Sequence, residues 1–161
     1  FNLHIINLKK ITSKSNIISS SLIREYIKKG HVNKIKKLMG SYWEIEGKVV
    51  KGDKRARTMG FPTANIIPND YISPKNGVYA VKIIHDNMNF KGIANFGMRP
   101  TFKGNKLLLE VNIFNLKKNI YGEKLTIKFV KFIRGEKKFN NINQLKKQIK
   151  LDILSVKSFF N

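Results

Sequence analysis

Two polar residues, Thr63 and Asn65, follow a basic stretch whose composition suggests phosphate chemistry. The stretch runs from Gly47 to Asn65 and contains Gly52 and Gly60. Thr63 and Asn65 lie two positions apart, so on an extended chain their side chains point to the same face. A hydroxyl oxygen and an amide oxygen are hard ligands that Mg²⁺ accepts beside phosphate oxygens. Glycines, in turn, let a backbone approach a ligand closely.

The basic residues of this stretch are Lys51, Lys54, Arg55 and Arg57, and they would surround a bound phosphate with positive charge. No G-x-x-x-x-G-K-[ST] motif is present, so the stretch is not a Walker P-loop. Spacing alone leaves two interpretations open. The stretch is either a phosphate and metal site or an ordinary surface loop that leads into a strand.

Glu110 is the carboxylate with the most unusual surroundings, because it lies in the otherwise apolar run Leu107–Phe114. In a strand, Glu110 and Asn112 would share one face, and Leu109 and Val111 would share the other. Two interpretations follow. Glu110 is an outward polar residue on a half-exposed strand, or it is a general base that takes a proton from an attacking hydroxyl.

Other charged residues carry weaker signals. Arg99 precedes a proline that restricts its backbone, and it would either clamp an anion or pair with a carboxylate. Asp152 lies within a helical pattern and is expected to be a charge on the helix surface. His4, His31 and His85 are isolated in the sequence, so we interpret them as structural or surface residues rather than metal ligands.

Composition limits the class of protein. A chain of 161 residues is long enough for one domain with a hydrophobic core. The absence of cysteine excludes disulfides, thiolate catalysis and cysteine zinc sites. No apolar run approaches the roughly 18 residues of a transmembrane helix, and no signal-peptide pattern is present. We therefore expect a cytoplasmic protein without a membrane partner, with a monomer favoured.

The formal net charge of +22 raises the alternative of a nucleic-acid-binding protein. Five of the 32 basic residues are arginines, and the lysines are spread along the whole chain. Proteins that recognise bases and phosphates usually use arginine, because its guanidinium can donate two parallel hydrogen bonds. Compositional drift toward lysine, asparagine and isoleucine is therefore favoured over a dedicated nucleic-acid surface. A small basic barrel that binds single-stranded nucleic acid stays as the alternative function.

Hydrophobic periodicity predicts two short helices near the start of the chain. Apolar residues recur at helical spacing within Leu22–Ile27 and Val32–Met39. Gly30 and Gly40 follow these segments as helix ends. An apolar segment from Phe1 to Ile11 would be a short strand before this αα segment.

From Tyr42 onward the pattern changes to strands with short connections. A bend is expected from Gly97 to Phe102 and a loop from Lys103 to Lys106. The expected elements are strands at Tyr42–Val50, Phe61–Ile67, Val78–His85, Phe90–Phe96, Leu107–Phe114 and Leu125–Phe132, and a helix at Asn143–Phe160. Short connections require antiparallel neighbours, and closure into a barrel removes the sheet edges. The predicted fold is mainly β: a six-stranded antiparallel, Greek-key-like barrel with a C-terminal helix, preceded by a short αα segment.

Several motifs, in the same order, resemble a riboflavin kinase domain over about residues 41–160. They are Gly47-Lys-Val-Val-Lys-Gly52, Gly60-Phe-Pro-Thr-Ala-Asn65, Asn76-Gly-Val-Tyr-Ala-Val81, Gly92-Ile-Ala-Asn-Phe-Gly-Met-Arg-Pro-Thr-Phe102, Leu109-Glu-Val-Asn-Ile-Phe114, Tyr121-Gly122 and Phe132-Ile-Arg-Gly-Glu-Lys-Lys-Phe139. The resemblance implies a six-stranded antiparallel barrel with a C-terminal helix. It also implies phosphoryl transfer from ATP to the terminal ribityl hydroxyl of riboflavin, with Mg²⁺, giving FMN and ADP.

Residues 17–24 resemble the nucleotide-binding signature that closes the adenylyltransferase half of bacterial bifunctional riboflavin kinase/FAD synthetases. Residues 1–40 are then the C-terminal remnant of that half with its linker helices, and residues 41–161 are the kinase domain. The family's N-terminal histidine-containing nucleotide motif is absent, so we expect that this chain alone does not make FAD.

The resemblance also implies roles for individual residues. Glu110 would be the catalytic base, and Thr63 and Asn65 would bind Mg²⁺. Flavin would contact Arg134, Glu136 and Asn112. The residues implied for ATP binding are Gly47, Gly52, Arg57, Gly60, Pro62, Thr63 and Asn65. Two positions depart from the family pattern near the flavin, since Asn112 stands where histidine is common and Gly135 where proline is frequent.

Overall fold

The structure is a computed structural model that describes residues 12–13, 16–52, 58–68, 70–101 and 104–161. The expected strand at Phe1–Ile11 therefore lies outside the described residues. The elements are β1 (Thr12–Ser13), β2 (Asn16–Ile17), α1 (Ser20–Lys28), α2 (Val32–Met39), β3 (Glu44–Val50), β4 (Ala64–Ile66), β5 (Gly77–His85), β6 (Met88–Thr101), β7 (Gly104–Ile113), β8 (Lys124–Arg134) and α3 (Ile142–Phe160). None of the helices in this part of the chain is long and apolar enough to cross a membrane.

Strands β3 to β8 form a closed barrel in the order β3-β4-β7-β6-β5-β8. Every neighbouring pair is antiparallel. The inward residues are apolar and fully buried, among them Ile45, Val81, Leu109, Val111 and Ile127. Along each strand, every second side chain points inward and helps to fill the barrel, and the side chains between them point outward. The predicted six-stranded antiparallel barrel is confirmed.

Helix α3 packs on the outer face of the barrel. Val156 is fully buried there in a cluster with Val78, Ala80 and Ile93, and Ile153 packs against the same cluster. The helix begins after Asn141, whose side chain accepts a hydrogen bond from the Gln144 amide at 2.9 Å. A second apolar layer is thereby placed outside the barrel, over strands β5 and β6.

The expectation that Asp152 is a charge on the helix surface is wrong. Asp152 is buried, and its carboxylate accepts hydrogen bonds from the Arg134 guanidinium at 2.7–3.0 Å. It also accepts one from Gln148 Nε2 at 2.8 Å. The helical periodicity correctly placed Asp152 on α3, but it contained no information about an arginine 18 residues earlier. This ion pair joins α3 to the end of β8.

The two short helices form as predicted and pack against the core of the barrel. Ser19 caps α1, since its hydroxyl accepts a hydrogen bond from the Leu22 amide at 3.2 Å. Gly30 and Gly40 both take left-handed backbone angles with φ of 76°, which ends each helix. Buried residues Ile27, Val32 and Ile35 join the core cluster of the barrel.

Strand boundaries near the site differ from the prediction. A bend is expected at Gly97–Phe102 and a loop at Lys103–Lys106, but the described residues 97–101 and 104–106 are strand, because β6 continues to Thr101 and pairs with β7. Arg99 is the direct partner of Lys106 in this ladder. Conversely, the strand expected at Phe61–Ile67 shortens to β4, Ala64–Ile66. In β6, pairing with β7 outweighed the local glycine and proline signals that had predicted a bend.

Candidate active site

A row of directly opposed residues crosses five strands on the outer face of the barrel. Asn65 on β4 is paired with Glu110 on β7, and Glu110 is paired with Asn95 on β6. The row continues from Asn95 to Val78 on β5, and from Val78 to Arg134 on β8. Directly opposed residues have Cβ atoms about 4.5–5.5 Å apart. The row therefore brings the predicted base and a predicted metal ligand side by side.

All five residues of this row line a cleft of about 610 Å³, which we call the outer cleft. Helix α3 and the segment before it form the opposite wall of the cleft. The apolar lining residues include Phe61, Leu108, Phe139, Leu145, Ile149 and Ile153. Small-molecule sites usually have volumes of about 300–1,000 Å³ and mostly apolar walls with a few polar groups. The outer cleft fits that description.

A second cleft of about 530 Å³, which we call the end cleft, lies on the other side of β4. Its polar lining comes largely from the loop before β8, and it contains Lys117, Lys118 and Tyr121. Gly52, Thr63 and Asn65 line both clefts, and we call these three residues the shared wall. Ligands in the two clefts would therefore face the same three residues.

Close packing builds the shared wall. A Cβ atom added to Gly52 would lie 2.2 Å from Asn65 Nδ2, so only glycine allows this approach. Asn112 lies in the outer cleft and donates a hydrogen bond from Nδ2 to the Pro62 carbonyl at 2.7 Å. Asn65 itself is buried, with 7% of its surface exposed. These contacts hold the Pro62–Asn65 segment against β7.

Glu110 is an outward polar residue of β7, as the first interpretation of its sequence pattern states, and its place in a cleft leaves the general-base interpretation as a prediction. It faces outward on β7 between the buried Leu109 and Val111, and it also lines a cleft. Its Oε2 accepts a hydrogen bond from Arg99 Nη2, and 25% of its side chain is exposed. Of the two roles considered for Arg99, the structure shows pairing with a carboxylate. A carboxylate in a cleft beside hard oxygen ligands is suited to accept a proton from a bound hydroxyl.

The residues assigned to flavin all line the outer cleft. Arg134 is bound to Asp152, and its Nη1 also donates to the Gly135 carbonyl at 2.8 Å. Glu136 accepts a hydrogen bond from Asn76 Nδ2 at 3.4 Å. Through its pair with Asp152, Arg134 therefore holds α3, which forms one wall of the cleft. Arg134 also lines the cleft itself.

Two of the remaining assigned residues, Gly47 and Gly60, line neither cleft. Gly47 lies in β3 opposite Leu125 and lines neither cleft; a Cβ atom there would lie 2.5 Å from Ile66 Cγ2. Gly60 takes a left-handed φ of 89° between Met59 and Phe61, which line the outer cleft. Arg57 lies outside the described residues.

Sequence reasoning missed a charged group beside the end cleft. His85 is 1% exposed, and its Nε2 contacts Glu123 Oε2 and lies 3.5 Å from Asp86 Oδ2. Lys118 Nζ lies 3.3 Å from both Asp86 Oδ2 and Glu123 Oε1, so one ammonium group is shared by the two carboxylates. The hydrogen bond from His85 and the Lys118 ammonium lower the pKa of Glu123. This group holds the loop that forms the end cleft against the β5–β6 hairpin.

Asn95, Lys117 and Lys118 also line the clefts without having been singled out from the sequence. The one available signal was Asn95 in an apolar strand, which resembles the pattern around Glu110. The two lysines carried none, because lysine is abundant throughout the chain.

The family model for riboflavin kinase, Flavokinase, matches residues 39–160. The bifunctional riboflavin kinase/FMN adenylyltransferase of Haemophilus influenzae is 43% identical over 145 residues, covering 89% of this chain and 47% of that protein. The chain thus spans about half the length of the curated relatives it matches.

Two solved structures are also similar. A Streptococcus pneumoniae crystal structure described as a macrolide-efflux protein superposes with a TM-score of 0.82 at 36% identity, covering 89% of this chain and 47% of that one. The riboflavin kinase of Trypanosoma brucei superposes with a TM-score of 0.54 at 23% identity, covering 74% and 80%, which shows a shared fold.

Proposed function

The chain belongs to the riboflavin kinase family, and we propose that it transfers the γ-phosphoryl group of ATP to the terminal ribityl hydroxyl of riboflavin, giving FMN and ADP. The observation that carries this proposal is the shared wall of Gly52, Thr63 and Asn65, which lies between two clefts and beside Glu110. Phosphoryl transfer requires donor and acceptor to approach in line, while the protein positions them and stabilises charge. Two ligand sites that share one wall would let the donor and the acceptor approach each other in this way.

We assign ATP to the end cleft. Lys117 gives this cleft positive charge, while Lys118 lines it as the partner of Asp86 and Glu123. Pro62 and Tyr121 give the cleft less polar surface. The family resemblance also implies that the segment from Gly52 to Gly60 covers the nucleotide, and residues 53–57 of that segment lie outside the described residues. The efflux function in the description of the S. pneumoniae structure is not carried over, because the family match and the paired clefts both support a phosphotransferase.

Magnesium would be held by the Thr63 hydroxyl and the Asn65 amide oxygen. Both are neutral oxygen ligands on the wall that the two clefts share, which suits an ion that keeps phosphate oxygens and waters as its other ligands. The chemistry that bound Mg²⁺ supplies there is neutralisation of the phosphate charge. Gly52 and the Asn112 contact with Pro62 keep these two side chains in place.

We assign riboflavin to the outer cleft, with its ring system against the apolar residues of α3 and its ribityl chain toward Glu110. Glu110 accepts the proton of the terminal hydroxyl as that oxygen attacks the γ-phosphorus. Arg134, Glu136 and Asn112 all line this cleft and are proposed to border the flavin. Of the two departures from the family pattern, Asn112 lines this cleft and Gly135 lies in sequence between two residues that line it, Arg134 and Glu136.

We also propose the division into a remnant of an adenylyltransferase domain with linker helices at residues 1–40 and a kinase domain at residues 41–161. FMN adenylyltransferase activity is then expected only in a longer parent chain. We propose a cytoplasmic location and a monomer. The nucleic-acid alternative gains no support from the aromatic residues, because Phe96 is buried and Phe90 and Phe114 pack against the apolar clusters.

The direct test is the formation of FMN from riboflavin and ATP by the purified chain, followed by chromatography with and without Mg²⁺. We expect FMN and ADP in equal amounts with Mg²⁺ and little product after chelation. Absence of FMN with saturating Mg²⁺ and ATP, from a chain shown to be folded, would refute the proposal.

A further inference from the structure

Arg99 lies directly beside the proposed base. Its Nη2 donates to Glu110 Oε2, both side chains line the outer cleft, and 42% of the Arg99 side chain is exposed. Lys106, its partner across the β6–β7 ladder, lines the same cleft. The base is therefore paired with a cation that has access to the ligand.

We propose that Arg99 moves its ion pair from Glu110 to the phosphate of newly formed FMN, and so acts as the product-phosphate residue of this site. This inference rests on the proposed function, because it requires phosphoryl transfer beside Glu110. It goes beyond that function by naming the group that receives the product charge.

The charge changes during the reaction support this transfer. The O–H bond of the ribityl hydroxyl breaks and its proton passes to the Glu110 carboxylate. The hydroxyl oxygen bonds to the γ-phosphorus, and the bond from that phosphorus to the β–γ bridging oxygen breaks to release ADP. Glu110 is then neutral, so Arg99 has lost its anionic partner. A phosphomonoester with about −1.5 to −2 charge has appeared next to it.

Arg99 is better placed for this role than the other arginine among the described lining residues. Arg134 is held by Asp152 and the Gly135 carbonyl, and its side chain is 18% exposed. The pair between Arg99 and Glu110 is partly exposed to water, so exchanging it costs little. A guanidinium can also bind two phosphate oxygens at once, which lysine does not match.

The test compares dissociation constants for FMN and riboflavin, measured by flavin fluorescence without nucleotide. In Arg99→Gln, FMN affinity should fall on the order of ten- to a hundredfold, because a charge-assisted contact is lost. Riboflavin affinity should stay near that of the unmodified chain. Lys82→Gln, which removes a positive charge at an exposed position of β5 outside both clefts, is the matched control and should change neither constant.

A second variant keeps the proposal falsifiable if Arg99→Gln is poorly folded. Glu110→Gln should bind FMN more tightly than the unmodified chain, since no carboxylate competes for Arg99 or repels the phosphate. Adding Arg99→Gln to that variant should abolish the gain.

Equal losses of FMN and riboflavin affinity in Arg99→Gln would overturn the proposal, as would FMN binding that neither variant changes. These outcomes differ from failure of the proposed function, in which the unmodified chain makes no FMN at all. If the unmodified chain makes FMN but Arg99→Gln binds FMN with unchanged affinity, only the role proposed for Arg99 is refuted.

Discussion

Replacing Asp152 with alanine should destabilise the fold by about 3 kcal/mol, because it leaves one partner of a buried ion pair without its counter-charge. The Asp152 side chain is 6% exposed and the Arg134 side chain is 18% exposed. The carboxylate accepts hydrogen bonds from Arg134 Nε at 3.0 Å and Nη2 at 2.7 Å, and one from Gln148 at 2.8 Å. Alanine removes all of these contacts.

The magnitude follows from the burial of the two partners. Loss of one member of a buried pair typically costs about 3–5 kcal/mol. We place Asp152→Ala at the lower end, because Arg134 keeps its hydrogen bond to the Gly135 carbonyl and borders a cleft. If the cost arises from the unpaired guanidinium, the double replacement Arg134→Met with Asp152→Leu should recover most of the lost stability.

Urea unfolding, followed by circular dichroism, measures this difference through the midpoint and slope of the transition. Glu46→Ala is the control, since Glu46 pairs with Lys124 at 2.5 Å on the exposed surface and should leave the midpoint nearly unchanged. Riboflavin binding should weaken in Asp152→Ala, because α3 forms a wall of the outer cleft. A loss of stability no greater than that of the control would refute the reasoning.

Two further predictions concern the shared wall, and a third concerns the ion pairs beside the end cleft. Thr63→Ala should raise the KM for ATP in steady-state assays and change the KM for riboflavin much less; an unchanged ATP dependence would contradict the ligand role. Gly52→Ala should lower kcat while the fold persists, because the new methyl group would displace Asn65; normal turnover would show that the wall tolerates the shift. The pKa of Glu123 is lowered by His85, so its stabilisation is present above the unfolded pKa of about 4.3 and is lost as pH falls through the lower folded pKa. Urea midpoints of the unmodified chain and Glu123→Gln should therefore differ at pH 6 and approach each other as the pH falls below about 4.3, whereas a constant difference would contradict the assignment.

The barrel could be predicted because its signals are local. Alternation in Leu107–Phe114 and Leu125–Phe132, together with short connections, is sufficient to predict antiparallel strands. Helix ends at Gly30 and Gly40 follow from the same kind of local rule and are confirmed. The prediction for residues 97–106 was wrong for the opposite reason, since the extended form of the described residues there depends on pairing between two strands.

The candidate site was predictable only in part. Glu110 stood out because a carboxylate interrupted an apolar run, and the Thr63 and Asn65 pair followed from spacing. The contacts between Arg134 and Asp152, and between His85 and Glu123, join residues 18 and 38 positions apart. Such pairs leave no periodic pattern, so only the folded chain shows them. The shared wall likewise depends on how β4 lies between the two clefts.

The most direct test of the account is the turnover of Glu110→Gln with saturating Mg²⁺ and ATP, measured beside its affinity for riboflavin. We predict that kcat falls by about 10²–10⁴-fold, as expected for loss of a general base, while riboflavin still binds. Glu44→Gln, on β3 and outside both clefts, is the matched control and should keep normal turnover. Turnover of Glu110→Gln close to that of the unmodified chain would contradict the account.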